Sequence, residues 1–148
     1  SAGIADFRGA GRRFEILGKC NGAVIADDYA HHPAELKVTL EAAKELHYKR
    51  VWAVFQPFTY SRTAMLLEDF AKVLPIADKV VMTEIMGSRE KNTYNIYTKD
   101  LAAKIDGSVW FPTFEEVADY LRQNITEGDL VITLGCGDVY KIAKMLIS

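Results

Sequence analysis

No run in this sequence approaches the roughly 18 consecutive apolar residues of a membrane span, and no secretory signal pattern opens it. Cysteine is scarce. Cys20 and Cys136 stand far apart without metal-like spacing, so free thiols in a reducing compartment are expected and a disulfide framework is excluded. Neither sign of charge dominates: 18 Lys and Arg against 20 Asp and Glu leave a net charge of −2, which argues against nucleic acid as the main partner. No Gly-x-x-x-x-Gly-Lys-Ser/Thr occurs, so the chain is not a self-sufficient P-loop enzyme. Internal repeats and low-complexity tracts are also missing. What remains is ordinary globular composition, 49% apolar and 26% charged over 148 residues, enough for one domain with a real core. The expectation is a single cytoplasmic domain over residues 1–148. Residues 1–11, small, polar and glycine-bearing, read as a linker remnant.

The hydrophobic pattern alternates between the two periods of secondary structure. A strand is expected from Arg12 to Leu17, then a turn over Gly18 to Gly22, where Asn21-Gly22 is a strong hairpin signal. Ala23 to Ala26 forms the return strand. A helix follows from Pro33, with Leu36, Leu40, Ala43 and Leu46 on one face. Val51 to Phe55 is an apolar run suited to a strand covered on both faces. Then come a helix over Ser61 to Leu74, a strand over Lys79 to Thr83, and a polar loop over Gly87 to Asn95 that is longer than packing requires. A short helix over Thr98 to Ile105 and a strand over Ser108 to Phe111 lead to Thr113-Phe-Glu-Glu116. That is a capping box opening a helix to about Asn124. Asp129 to Leu134 is the last strand, and the chain closes in a helix to Ile147. Such alternation predicts an α/β three-layer domain, mostly parallel, with an N-terminal antiparallel hairpin element. Strand order stays open.

Chemistry-bearing residues gather where strands run into helices, the ends at which open α/β sheets bind ligands. Asp27-Asp28-Tyr29-Ala30-His31-His32-Pro33-Ala34-Glu35 crowds two carboxylates, a phenol and two imidazoles into one turn. No folding requirement asks for that density. Adjacent histidines without an i,i+4 partner or a cysteine make a poor zinc site, so no metal is expected; His31 and His32 suit orienting hydrogen bonds. Gln56 to Thr63 occupies the end of the next strand, with Ser61 read as N-cap. Arg62 stands in the first helical turn, where the helix dipole disfavours a cation, and its planar fork suits a carboxylate or phosphate. Gly135-Cys-Gly-Asp138 is either a phosphate-binding turn or a tight turn with Asp138 capping the helix. Arg12-Arg13 is solvated charge or a phosphate contact, Ser88-Arg-Glu-Lys91 a solvated charge run, and His47 a surface residue.

Asp-Asp-Tyr-Ala-His-His-Pro resembles the signature of the C-terminal domain of the Mur ligases that use UDP-N-acetylmuramate, most closely the branch that adds L-alanine. Arg-Arg-Phe-Glu at 12–15, Gln56-Pro57 through Arg62-Thr63, Ile85 through Lys91 and Gly135-Cys-Gly-Asp138 are similar to further motifs of the family, in the same order. The resemblance implies a Rossmann-like three-layer domain of an ATP-dependent amide ligase in peptidoglycan precursor synthesis, which activates a carboxylate as an acyl phosphate. It implies that Arg13 and Asp28 contact the nucleotide, and that Arg62, with Thr59 and Ser61, approaches the amino acid. Tyr29, His31 and His32 would wall the reacting centre, and Gly135, Gly137 and Asp138 form a candidate phosphate or substrate turn. Its cofactors would be ATP and Mg2+, and its other partners UDP-N-acetylmuramate, L-alanine and the central ATPase and UDP-sugar domains, which this sequence lacks. Such a fragment would be inactive alone. Phe58 stands where the family usually has histidine, and Cys136 where it has alanine. Two other readings share these features: a ligase recycling a tripeptide onto UDP-N-acetylmuramate, and a stand-alone nucleotide-binding regulatory module.

Overall fold

The structure, a computed structural model, describes residues 15–148. Asn21 and Gly22 both take left-handed φ, 55° and 83°, the geometry of a two-residue type I′ hairpin whose twist matches its flanking strands. It joins β1 (Glu15–Cys20) to β2 (Ala23–Asp28) in antiparallel register, Cys20 facing Ala23 and Glu15 facing Asp27. The strand expected to stop at Leu17 therefore continues through Gly18, where a bulge shifts the register. A Cβ at Gly18 would lie 3.0 Å from Ile147, so the glycine serves close packing of the final helix and not the turn. The first part of the expected strand, Arg12 to Phe14, lies outside the described residues.

After the hairpin the chain winds as α1 (Pro33–Lys44), β3 (Val51–Phe55), α2 (Tyr60–Met65), α3 (Leu67–Val73), β4 (Lys79–Met82), α4 (Thr98–Ala102), β5 (Val109–Trp110), α5 (Phe114–Asn124), β6 (Leu130–Leu134) and α6 (Tyr140–Ile147). The sheet order is β1-β2-β6-β3-β4-β5, with every pairing after the hairpin parallel. β3 and β6 lie at the centre, buried along their whole length. Their side chains alternate between two cores, as a period of two requires. Ala53 and Phe55 join Leu36, Leu40, Phe70 and Leu101 on one face; Trp52 and Val54 join Val117, Leu121 and Ile142 on the other. Each fully buried Leu, Ile or Phe contributes about 2 kcal/mol relative to exposure.

Several boundaries differ from expectation. α1 ends at Lys44, its last turn tightened by i→i+3 bonds from Leu46 N–H and His47 N–H, so Leu46 is 48% exposed. The single helix expected over 61–74 breaks at Leu66 (φ −107°), although Leu66, Leu67, Phe70 and Leu74 do face one core. Leu74–Ile76 is a 3-10 turn containing Pro75, which lacks an N–H to continue an α-helix. The strands expected over 108–111 and 129–134 shorten to Val109–Trp110 and Leu130–Leu134, and the helix expected over 98–105 ends at Ala102. Thr113 does cap α5, its Oγ1 accepting from Glu116 N–H. Among the described residues no helix is long and apolar enough to cross a membrane.

Candidate functional site

Placing β6 between β2 and β3 sends neighbouring strands into helices on opposite faces. α1 and α3 pack in the first core, α6 in the second. The turns after β2, β3 and β6 therefore diverge at one edge, the topological position where α/β sheets open a crevice.

The β2 turn is built by two carboxylates. Asp28, 1% exposed, accepts Ala30 N–H on Oδ1 (2.9 Å) and the Thr39 hydroxyl on Oδ2 (2.7 Å), tying the turn to the middle of α1. Glu35 Oε1 accepts His31 and His32 N–H (3.1 and 3.2 Å), half of a capping box around Pro33. The His31 ring stacks edge-on to Tyr29, and its Nδ1 lies 3.1 Å from Tyr29 O. Tyr29 itself is 67% exposed. Burial pushes the Asp27 carboxyl up; Thr133 Oγ1, donating to it at 2.7 Å, counters only part of that.

The β3 turn is strained. Thr59 has φ 63° and ψ 148°, a region where β-branched residues are genuine outliers, and such conformations persist only where surroundings over-determine them. Here they do. Thr59 N–H donates to Met86 O (2.8 Å), Thr59 O accepts the Thr63 hydroxyl (2.7 Å), and Thr59 Oγ1 accepts Arg62 N–H (3.4 Å). Thr59 is thus the N-cap of α2, not Ser61. Ser61 instead donates its N–H and hydroxyl to Glu90 (2.9 and 2.5 Å), and those bonds hold the Glu90 carboxyl below its usual range. The 88–91 segment is therefore more than solvated charge: Glu90 staples the long loop to α2.

Arg62 sits over the Phe58 ring at 5.8 Å, and its Nη1 is buried without a hydrogen-bond partner. The Cys136 thiol lies near enough to feel the guanidinium, although burial, the larger effect, pushes the thiol up. A cavity of about 330 Å³ opens here, lined by His32, Thr59, Ser61, Arg62, Leu66 and Glu90. A second, of about 300 Å³, lies beside Asp78 and Gly107 and carries none of the candidate residues.

The β6 turn closes the crevice. Gly135 has φ 149°, a conformation that favours glycine, and a Cβ there would lie 3.2 Å from Gln56 O. Asp138 does not cap α6; its Oδ1 accepts Gln56 Nε2 (3.0 Å). The structure thus gathers His32, Thr59, Ser61 and Arg62 around one cavity, while Gly135, Gly137 and Asp138 pack against Gln56 at the start of the β3 turn. His31 serves the turn, Tyr29 projects to solvent, and Arg13 lies outside the described residues. Gln56 was marked in the sequence only as the first residue of the Gln56–Thr63 motif; its bond to Asp138 carried no local signal. No three His, Cys, Asp or Glu side chains among the described residues form a group able to hold a metal ion. Elemental analysis of the purified chain is expected to find no stoichiometric zinc; one zinc per chain would mean a different use of His31 and His32.

The Mur ligase, glutamate ligase domain model matches residues 12–137. The chain belongs to that Mur ligase domain family. Every candidate site residue except Asp138 falls within the matched span. This Mur ligase domain is 46% identical over 149 residues to the UDP-N-acetylmuramate–L-alanine ligase of Acetivibrio thermocellus, covering 98% of this chain and 32% of that protein. It therefore spans about a third of the length of the curated relatives it matches. The same fold occurs in the UDP-N-acetylmuramate–alanine ligase of Thermotoga maritima (TM-score 0.68, 23% identity, 86% of this chain and 26% of that one). It recurs in a murein peptide ligase from Psychrobacter arcticus (TM-score 0.71, 22% identity, 92% and 29%).

Proposed function

We propose that this chain is the C-terminal domain of an ATP-dependent ligase that joins L-alanine to UDP-N-acetylmuramate in the cytoplasm, a step of peptidoglycan precursor synthesis. The observation that carries this reading is the 46% identity to an L-alanine ligase along nearly the whole chain. Likeness to the murein peptide ligase is at the level of fold. The central ATPase and UDP-sugar domains would occupy the remaining two-thirds of the longer protein.

In such a reaction the muramoyl carboxylate is phosphorylated at the expense of ATP, the amine attacks the acyl carbon, the C–O bond to phosphate breaks, and the nitrogen loses a proton. Positioning and charge neutralisation matter more than a protein nucleophile. Arg62 would take the amino-acid carboxylate as a two-pronged donor, with its buried, unpartnered Nη1 supporting that role. Thr59 and Ser61 shape the cavity wall beside it. Tyr29, His31 and His32 would line the meeting point of acyl phosphate and amine. Arg13 and Asp28 are assigned to the nucleotide; the bonds of Asp28 to Ala30 N–H and the Thr39 hydroxyl also fix the turn. Gly135, Gly137 and Asp138 let the backbone approach substrate or phosphate. Magnesium, when bound, would balance phosphate charge; its ligands are assigned to the rest of the protein and to the phosphates. Closing over the other domains, this one would keep water from the acyl phosphate.

The test compares the chain with the full-length protein. The full-length enzyme is expected to release phosphate when given ATP, UDP-N-acetylmuramate and L-alanine. The isolated chain, having its own two-sided core, should unfold cooperatively but turn over no ATP. Preference for a tripeptide over L-alanine would move the assignment to the recycling ligase. Nucleotide binding by the full-length protein without any ligation would move it to a regulatory module. Ligation of L-alanine by the fragment alone would overturn the domain reading.

A further inference from the structure

Two buried side-chain polar atoms among the described residues have no hydrogen-bond partner, Gln56 Oε1 and Arg62 Nη1. One accepts and the other donates. Buried polar groups are otherwise nearly always paired, and the two orphans flank the turn after β3, Gln56 directly after the strand and Arg62 in the first turn of α2. An α-amino acid presents the complementary set, a carboxylate that accepts and, one carbon away, an amine that donates.

The orientation of the Gln56 amide is dictated by its neighbour. Nε2 donates to Asp138 Oδ1 at 3.0 Å; turning the amide over would set Oε1 against that carboxylate, acceptor against acceptor. Oε1 is thereby aimed at Gly137, where a Cβ on the glycine would come within 2.5 Å of it and 3.4 Å of Met86 Cγ. Only glycine lets Oε1 approach the backbone that closely, and Met86, an unbranched and adaptable side chain, is the other neighbour there. Gln56 is itself 4% exposed, while Met86, Gly137 and Asp138 beside it are half-buried, so the acceptor lies one side chain below the crevice surface.

We infer that Gln56 sets specificity for the amine of the incoming amino acid, its Oε1 accepting an amine N–H, and that Asp138 is the positioning residue holding the amide in that orientation. This rests on the ligase reading above. A neutral acceptor suits the chemistry: it orients the nitrogen and leaves the lone pair for attack, whereas a carboxylate would favour the protonated, unreactive ammonium.

The experiment uses the full-length enzyme with Gln56→Met, which keeps length and removes the acceptor. The KM for L-alanine should rise by about tenfold or more, the cost of leaving a donor unpaired, with the KM values for ATP and UDP-N-acetylmuramate and the unfolding midpoint unchanged. Asp138→Ala, which frees the amide to turn, should raise the same constant by a smaller factor. The swapped pair Gln56→Glu with Asp138→Asn keeps both the side-chain bond and an acceptor, so it should hold the L-alanine KM near wild type while lowering kcat. If Gln56→Met leaves the L-alanine KM unchanged, or raises all three KM values together with a lower midpoint, Gln56 is structural and the inference is wrong. If Gln56→Met does not fold, the swapped pair decides: an L-alanine KM raised by about tenfold overturns the inference as well. A wild-type enzyme that ligates no L-alanine would instead sink the ligase reading, a separate outcome.

Discussion

Arg62→Lys in the full-length enzyme is expected to cost about 2–4 kcal/mol of transition-state binding, a roughly 30- to 1000-fold loss in kcat/KM. Arg62 stands in the first turn of α2, where the helix N-terminus disfavours a cation unless an anion compensates. Around it the structure supplies a ring at 5.8 Å, a nearby thiol and a buried, unpartnered Nη1. The Glu90 carboxylate, bonded to Ser61, feels the guanidinium charge from across the cavity without forming an ion pair with it among the described contacts. A substrate carboxylate bound by the guanidinium fork meets that demand, and lysine cannot reproduce the fork. The loss should therefore appear as a raised KM for L-alanine, with ATP and the UDP-sugar much less affected. Phe58→His, which restores the residue usual in the family, should change the same constant more mildly, because Phe58 faces the guanidinium and is not the partner of the carboxylate. If Arg62→Lys weakens ATP alone, the arginine is a phosphate ligand, and the division of the site between nucleotide and amino acid is wrong.

Asp129→Ala should be the most destabilising of these changes, although it lies far from the crevice. Asp129 immediately precedes β6, and its side chain is fully buried. It accepts from Arg50 Nε and Nη2 (3.2 and 2.8 Å), Trp52 Nε1 (3.0 Å) and Thr126 N–H (2.9 Å). Removing it strands the Trp52 indole N–H, which is nearly wholly buried, and half-strands a partly exposed arginine. About 3–4 kcal/mol is expected, roughly 10 °C in the unfolding midpoint of a domain this size. The same group sets an acid limit. Burial raises the Asp129 carboxyl, but the bonds from Arg50, Thr126 and Trp52 outweigh it and hold the group below its usual range. Asp78, bonded by Lys44 and Val51 N–H, shifts the same way. A carboxyl lowered in the folded state stabilises above the unfolded value of about 3.9, and that stability is lost as pH falls through the lower, folded value. Asp27, raised by burial, has the opposite sign and loses stability as pH climbs past that unfolded value. Acid unfolding should therefore be steeper in wild type than in Asp129→Asn. An equal slope would mean that Asp129 is not a main acid-sensitive contact.

Sequence by itself determined the class of fold, because both periods were written plainly. The apolar run Val51–Phe55 demanded two covered faces and has them. Asn21-Gly22 demanded a primed turn and makes one, and Thr113 capped its helix as a local pattern allows. The density of ionisable groups at Asp27–Glu35 marked a strand-to-helix turn at the sheet's binding edge. The family signature extended that mark along the chain. Helix ends were less legible: the break at Leu66 and the halt at Lys44 carry no proline or glycine, since long-range packing decides them. Only the tertiary structure placed β6 between β2 and β3, because strand order is set by which faces remain to be covered after every crossover is made. That one insertion brings Gln56 against Gly137 and against Asp138, the latter 82 residues away in sequence. It also assigns Ser61 to Glu90 and the cap to Thr59, whose positive φ no β-branched residue advertises. Local chemistry names the residues able to act, whereas their pairing depends on contacts between segments that no window of sequence contains.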